Sequence, residues 1–258
     1  MPESDLDLLV RAARDSGRIA TRYWKRAPDT WQKKKGAGPV TEADIEIDNM
    51  LRESLRAVRP GYGWLSEETA DTPERLNARR VFIVDPIDGT RAFIRGSRDF
   101  AHSLAVAEGG EITAAVIYLP LLECMFTATS EGPACLNGRE IRADRNEDLA
   151  RATVLAHRNS LDPDLWHGGM PPIQRAFRSS LAYRLALVAE GRFHAMLTLR
   201  PTWEWDVAAG SLIAEKAGAR VTDRTGAALR FNNPAPCVNG LIVAAEPLHG
   251  NLIGRLKQ

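Results

Sequence analysis

The chain is short of cysteine, of long apolar runs and of any excess of one charge sign, and each shortage removes a class of protein. Its three cysteines, Cys124, Cys135 and Cys237, form no Cys-x-x-Cys pair and leave one over in any pairing. That argues against a disulfide scaffold or a thiolate zinc site and for a reducing compartment. No apolar stretch approaches the roughly 18 residues of a membrane span, and the N-terminal Met-Pro-Glu-Ser-Asp-Leu-Asp is acidic where a signal peptide starts basic. A cytoplasmic protein without a membrane partner is expected. The 34 Lys and Arg against 33 Asp and Glu leave a net charge of +1, which argues against nucleic acid as a main partner, because that usually needs a basic face. Also missing are a G-x-S-x-G elbow, a G-x-x-x-x-G-K-[ST] loop and an H-E-x-x-H pair, the marks of serine hydrolases, NTPases and zinc peptidases. His102, His157, His167, His194 and His249 show no ligand spacing and are expected to be structural or exposed.

What is present is ordinary globular material. Across 258 residues, 44% are hydrophobic and 26% charged, enough to bury a sizeable core. Leu6, Leu9, Val10, Ala13, Gly17 and Ala20 recur at helical spacing and predict an amphipathic helix from residue 4 to about 26. Lys33-Lys34-Lys35-Gly36-Ala37-Gly38-Pro39 reads as a loop. A second helix is predicted from Thr41, with Ile47, Leu51, Leu55 and Val58 on one face, ending before Pro60-Gly61. Val81-Phe82-Ile83-Val84 reads as a buried strand that stops at Asp85-Pro86. Further strands are predicted near 102–108, 111–119, 122–129 and 152–156, with turns at Gly109-Gly110 and Asn137-Gly138. Helices near 180–190 and 206–217 then alternate with strands near 193–199 and 219–222. A last strand at Ile242-Val243-Ala244 precedes a C-terminal helix. The order implies an α/β (α+β) chain. One domain is expected over 1–258, with an N-terminal α+β part to about residue 145, a C-terminal α/β part from about 146, and a cleft between them.

The sharpest feature is Asp85-Pro86-Ile87-Asp88-Gly89-Thr90. Two carboxylates at the end of a buried strand are costly unless a cation neutralises them. Pro86 fixes the backbone, Gly89 permits a tight turn and Thr90 can cap the next helix or loop. Mg²⁺ takes oxygen ligands, which Asp85, Asp88 and the Ile87 carbonyl can supply. Amides at a helix start beside Gly89-Thr90 suit a phosphate. The competing reading is a plain turn after a strand. Elsewhere the bland readings are stronger. Thr41-Glu42-Ala43-Asp44 fits a helix capping box. Ser66-Glu67-Glu68 reads as a solvated loop, and Asp206 in Trp203-Glu204-Trp205-Asp206 as the cap of a helix.

Together these pieces resemble the inositol monophosphatase superfamily of Mg²⁺-dependent, lithium-sensitive phosphomonoesterases. The resemblance rests on Asp85-Pro86-Ile87-Asp88-Gly89-Thr90 with Phe93, on Val40-Thr41-Glu42-Ala43-Asp44, on Glu67-Glu68, and on Trp205-Asp206-Val207-Ala208-Ala209-Gly210 followed by Glu215-Lys216-Ala217-Gly218. It implies a layered αβαβα sandwich of the inositol monophosphatase and fructose-1,6-bisphosphatase type. It implies that Glu67, Asp85, the Ile87 carbonyl, Asp88 and Asp206 ligate two Mg²⁺ ions, with Asp44 reaching a third metal or its water. It also implies that Gly89 and Thr90 bind phosphate, that Asp88 and Asp206 face the substrate, and that the chain can form a homodimer. For the reaction, a water oriented by Glu67 and Thr90 with help from Asp44 attacks a phosphate monoester, with no covalent phosphoenzyme.

The branch is less plain. Asp-Gly-Thr is followed by Arg91-Ala92-Phe93, where the inositol phosphatases usually carry x-Asn-Phe. A basic residue there is more like the 3′(2′),5′-bisphosphate nucleotidases or the histidinol phosphatases, and the latter typically lack the Trp-Asp-x-Ala-Ala-Gly segment. Lys34, Thr202-Trp203-Glu204-Trp205-Asp206 and Ser180-Leu181-Ala182-Tyr183-Arg184 are also similar to the nucleotidase branch. Lys34, Arg91 and Arg184 are candidate partners for a second phosphate, against the alternative that each is simply solvated. Adenosine 3′,5′-bisphosphate is the expected substrate, with inositol monophosphate, histidinol phosphate or another sugar phosphate as alternatives.

Other classes fit less well. An aspartyl nucleophile of the Asp-x-Asp type needs carboxylates two apart, whereas these are three apart with Pro between. A non-catalytic protein that binds metal or a phosphate metabolite would be favoured by loss of an acidic ligand, yet every expected carboxylate is present. Three lysines in a Gly-rich loop are too few for RNA binding.

Overall fold

The computed structural model describes residues 3–33 and 38–257. Ser4 opens α1 (Asp5–Tyr23) by accepting a hydrogen bond from the Asp7 amide, and the helix buries Leu8, Leu9, Ala12, Ala13, Gly17 and Ala20. Leu6 and Val10, predicted on that stripe, lie at its half-buried edge. Strands β1 (Thr30–Gln32) and β2 (Pro39–Thr41) pair antiparallel across the predicted loop. Thr41 then starts α2 (Glu42–Val58) with a complete capping box. Ile47, Leu51 and Leu55 are buried as predicted, while Val58, at the helix end where the packed stripe stops, is exposed.

A seven-stranded sheet follows: β3 (Gly63–Ser66), β4 (Arg80–Asp88), β5 (Ala101–Glu108), β6 (Glu111–Leu119), β7 (Cys124–Thr129), β8 (Cys135–Leu136) and β9 (Arg139–Glu140). Only β3 and β4 run parallel; the remaining neighbours are antiparallel. Helix α3 (Thr90–Ile94) interrupts the path from β4 to β5. The second half contributes β10 (Thr153–Ala156), β11 (Gln174–Ala176), α4 (Leu181–Ala189), β12 (Ala195–Thr198), β13 (Thr202–Trp203), α5 (Glu204–Lys216), β14 (Arg220–Thr222), β15 (Cys237–Val238), β16 (Leu241–Ala244) and α6 (Leu248–Arg255). Five of these strands form a mixed sheet in the order β11-β10-β12-β16-β14.

Strand alternation sorts the side chains into layers. Phe82, Val84, Leu104, Val106, Ala114 and Val116 share a core with Leu8, Leu9, Ile47 and Leu51, so α1 and α2 cover one face of the large sheet. Their neighbours Val81, Ile83, Ala105, Ala115 and Ile117 face the other way, into a core shared with Leu185, Val207, Ile213, Met196 and Val243. Helices α4 and α5 are thus sandwiched between the two sheets. Ala195, Leu197, Ile242 and Ala244, on the far face of the second sheet, pack with Leu248 and Leu252 of α6. The order helix, sheet, helix, sheet, helix is the αβαβα sandwich that the sequence resemblance implies. Among the described residues, no helix is long and apolar enough to cross a membrane.

Candidate active site

The site lies where β4 ends and α5 begins. Glu67 extends β3, its amide bonded to the Val84 carbonyl at 3.2 Å. Asp85 and Asp88 belong to β4, and Asp206 to the first turn of α5. One carboxylate oxygen from each of Glu67, Asp85 and Asp206 lies within 4.8 Å of the others. The N-cap of α5 is Trp203, with no side-chain cap bond, so Asp206 is not the cap that its motif suggested and is free to face the cluster.

Asp85 carries the clearest sign of a missing partner. Both its oxygens are buried without a hydrogen bond among the described residues. Burial, followed by the charges of Glu67, Asp88, Asp206 and Glu68, pushes its carboxyl well above the usual carboxylate range. Asp206 is raised likewise, by burial and then by Asp88 and Glu67. A buried carboxylate with two neighbours of like charge is unfavourable unless a cation completes it. The donor set is entirely carboxylate oxygen, which suits a hard ion such as Mg²⁺ and not a thiolate-ligated zinc.

Asp88 is held from the other side. Its Oδ2 accepts hydrogen bonds from Ser180 Oγ at 2.6 Å and from the Ala182 amide at 2.5 Å. Ser180 is the N-cap of α4, so this carboxylate also sits at a helix start, where the dipole favours negative charge. Burial nevertheless raises it to about 6 against those hydrogen bonds. Gly89 adopts φ +98°, and a side chain there would meet the Asp99 carbonyl at 3.1 Å. The turn therefore requires glycine. Gly89, not Thr90, holds the cap position of α3. The Thr90 hydroxyl instead reaches the Ile87 carbonyl at 3.1 Å and Asp44 Oδ1 at 3.3 Å.

Asp44 fills the capping box that its motif predicted and also reaches Thr90. Its Oδ2 closes the capping box by accepting from the Thr41 amide at 2.9 Å and hydroxyl at 2.5 Å, while Oδ1 is offered to Thr90. Burial raises it to about 6, opposed by those Thr41 bonds.

The predicted substrate cations separate. Arg184 is buried, with Nε donating to the Arg178 carbonyl at 2.6 Å and its guanidinium 4.3 Å from the Phe177 ring centroid. Burial lowers it to about 10, opposed by Asp88 and assisted by Arg200. Arg91 is exposed, and its Nη2 lies 3.4 Å from where a Gly38 side chain would begin. Lys34 lies outside the described residues.

Further residues join the site, and of these only Glu68 stands in a motif that carries the resemblance. Lys33 sets its ammonium 2.6 Å from Glu67 and 2.7 Å from Glu68; three consecutive lysines give no basis for choosing the first. Burial raises Glu68 to about 8, aided by the Glu67 charge and opposed by Lys33. Arg200 follows β12 and carries a charge felt by both Arg184 and Asp206. Asp48 is buried one turn after Asp44 and accepts from the hydroxyls of Ser66 and Thr69, on either side of Glu67-Glu68. His102 lies wholly buried beside Pro86. Farther out, Glu204 accepts from the Asn232 and Asn233 amides, and Arg75 bonds the same two residues, which ties the loop after Glu68 to the start of α5.

Comparison with known proteins gives one consistent answer. Residues 1–258 match the inositol monophosphatase family. The chain is 34% identical over 232 residues to an inositol-1-monophosphatase of Rhizobium meliloti, covering 86% of each protein. It is 32% identical over 231 residues to the 3′(2′),5′-bisphosphate nucleotidase CysQ of Salmonella typhimurium, covering 88% of this chain and 93% of that one. Its fold superposes on the Thermotoga maritima IMPase with a TM-score of 0.84 at 27% identity, over 96% of this chain and 95% of the other.

Proposed function

Since this chain belongs to the inositol monophosphatase family, and is on that ground a metal-dependent phosphoric monoester hydrolase acting on small phosphorylated substrates, we propose that it is a 3′(2′),5′-bisphosphate nucleotidase. It removes one phosphate from adenosine 3′,5′-bisphosphate to leave AMP. The observation that carries the substrate is the buried Arg184 guanidinium on α4, with the exposed Arg200 after β12 close enough for its charge to act on Arg184 and Asp206. A substrate with one phosphate uses the acidic cluster and its ions; a second phosphate needs cations of the protein's own. The exposed Phe177 beneath Arg184 offers a flat apolar surface for the rest of a nucleotide. Three free cysteines suit a cytoplasmic enzyme.

In this reading Glu67, Asp85, the Ile87 carbonyl, Asp88 and Asp206 hold two Mg²⁺ ions, and Asp44 serves a third. Bound Mg²⁺ supplies charge neutralisation for the phosphate and the leaving oxygen, and makes a water acidic enough to attack near neutral pH. The remaining work belongs to the chain. The Thr90 hydroxyl, set between the Ile87 carbonyl and Asp44, orients the attacking water. Asp44, whose Oδ1 accepts from the Thr90 hydroxyl, takes the proton that Thr90 relays. The Gly89 turn brings backbone N–H groups to the phosphate oxygens. Asp88, with Oδ2 fixed by Ser180 and Ala182, keeps its other oxygen for the site without moving.

A phosphate-release panel with Mg²⁺ tests this, using adenosine 3′,5′-bisphosphate, inositol 1-phosphate, histidinol phosphate and fructose 1,6-bisphosphate, with and without Li⁺. The bisphosphate nucleotide should give the highest kcat/KM, and Arg200→Gln should lower that value far more than the value for a monophosphate. Inositol 1-phosphate is the second reading, favoured by the Rhizobium meliloti relative. Preferential turnover of it, unaffected by Arg200→Gln, would replace the first.

A further inference from the structure

Asp85 and Asp88 are three residues apart on one strand, and in a regular strand such residues face opposite sides of the sheet. Phe82 and Val84 of β4 point into the α1/α2 core, and Val81 and Ile83 into the α4/α5 core. Unbroken alternation keeps Asp85 on the α4/α5 side and sends Asp88 to the α1/α2 side. The pairing with β5 breaks this pattern. Asp85 pairs with Ser103 and Asp88 with Ala101, so Pro86 and Ile87 together oppose the single residue His102. This is a β-bulge, and its extra residue shifts the alternation by one. Ile87 takes the α1/α2 side, packed with Phe93 and Phe100. Asp88 thereby turns to the α4 side, where Ser180 and Ala182 receive it.

His102 is the residue opposite the bulge. It is wholly buried, on the same side of β5 as Phe100 and Leu104. Its Nδ1 lies 2.5 Å from the Pro86 carbonyl oxygen, and its Nε2 has no partner among the described residues. A carbonyl can only accept, so Nδ1 carries the proton. Burial holds the ring's pKa down at about 4, which keeps it neutral. A bulge leaves backbone groups outside the regular ladder, and a buried carbonyl without a donor is costly.

We propose that His102 is a positioning residue: its Nδ1–H, donated to the Pro86 carbonyl, holds the bulge that turns Asp85 and Asp88 to the same side of the sheet. The inference rests on the reading of these two carboxylates as ligands of the same metal site, and acts on that site through backbone geometry alone. His102 touches neither metal nor substrate.

The test uses the full chain and three variants. Asn places its amide nitrogen on Cγ, where His carries Nδ1; Gln places it one bond farther, at the Nε2 position; Leu has no donor. Long-range ¹H–¹⁵N correlation spectra of the histidine side chains should show His102 protonated on Nδ1 only. Calorimetric Mg²⁺ titration should give His102→Asn an affinity near wild type, and His102→Gln and His102→Leu affinities lower by roughly tenfold or more, as for other residues that orient ligands from behind, with melting temperatures lowered by only a few degrees for the lost donor. Should His102→Leu fail to fold, the Asn and Gln pair and the spectrum still decide. A ring protonated on Nε2, or a His102→Gln protein that binds Mg²⁺ as tightly as wild type, overturns the proposal. Wild-type protein that binds no Mg²⁺ defeats the metal reading itself and the positioning role with it.

Discussion

The ammonium of Lys33 forms an ion pair with Glu67 inside the acidic site, at 2.6 Å, and reaches Glu68 at 2.7 Å. Its side chain is 15% exposed and that of Glu68 4%, so the contact is largely shielded from water. Burial lowers the proton affinity of Lys33, but the charges of Glu67 and Glu68 outweigh it and the lysine is raised overall. One internal cation thus sits on Glu67, which is also one of the three carboxylates grouped closely enough to hold a metal ion.

Replacing Lys33 with Met should therefore separate stability from metal binding. Without the ammonium, Glu67 and Glu68 are left as adjacent, poorly solvated like charges, and the metal-free protein should lose about 2–3 kcal/mol. Mg²⁺ should restore most of that loss, since it no longer competes with Lys33 for Glu67. Melting curves in EDTA and in saturating Mg²⁺ measure both quantities; a Lys33→Met protein that Mg²⁺ stabilises no more than it stabilises wild type contradicts the competition.

The pH dependence of the metal-free protein has a defined sign. Asp85 and Asp206 are raised well above their ordinary values and Glu68 to about 8, so the folded state binds protons that the unfolded state has already released. Stability then falls as pH rises. Asp44 and Asp88, each near 6, add to the fall at lower pH. His102, lowered to about 4, works in the opposite direction, but only up to its unfolded value near 6.5. Between about pH 6.5 and 8, metal-free protein should lose stability and Mg²⁺-loaded protein should not. Denaturant midpoints across that range, with EDTA or Mg²⁺, check the sign.

Thr90→Val keeps the shape of the side chain and removes the hydroxyl that bridges the Ile87 carbonyl and Asp44. The rate should fall by roughly 100-fold, while Mg²⁺ affinity stays near wild type. Steady-state kinetics together with calorimetry distinguish this from a general loss of the site.

Gly210 lies one helical turn after Asp206 on α5, against α4. A Cβ there would meet Leu185 Cδ1 at 2.4 Å and Cβ at 2.5 Å. Gly210→Ala must separate the two helices and should cost about 1–3 kcal/mol, the usual range for overpacking. Because residues four apart share a helix face, the shift is passed to Asp206, and Mg²⁺ affinity should fall along with the melting temperature.

Much of this molecule is legible in one dimension, because local rules act on local residues. The apolar spacing of Leu9, Ala13, Gly17 and Ala20 marks α1. Thr41 and Asp44 mark the start of α2, and the run from Val81 to Val84 marks the strand that carries the two aspartates. Asp85 and Asp88 stand out for the same reason, since the Asp85–Thr90 hexapeptide combines costly carboxylates with the proline and glycine that shape their turn, whereas Asp44, Glu67 and Asp206 each fit a blander local reading. Other features escaped because their meaning depends on distant partners. Arg200 looks like any loop arginine until the fold brings its charge to bear on Arg184 and Asp206, and Val58 follows the helical period past the point where packing ends.

The sequence by itself determined the kind of chemistry, since the short motifs that carry the resemblance to the inositol monophosphatase family are each legible over a few consecutive residues. Tertiary structure decided which charges meet. It brought Lys33 onto Glu67 and Glu68. Among the described residues it left both oxygens of Asp85 without a hydrogen-bond partner, and it tied Asp88 to α4. Through a bulge opposite His102, it turned two carboxylates of opposite parity to one side. The physical reason is range: backbone propensity and hydrophobic period act over a few residues, whereas electrostatic pairing and hydrogen-bond satisfaction are settled between segments tens of residues apart, only once the chain has folded.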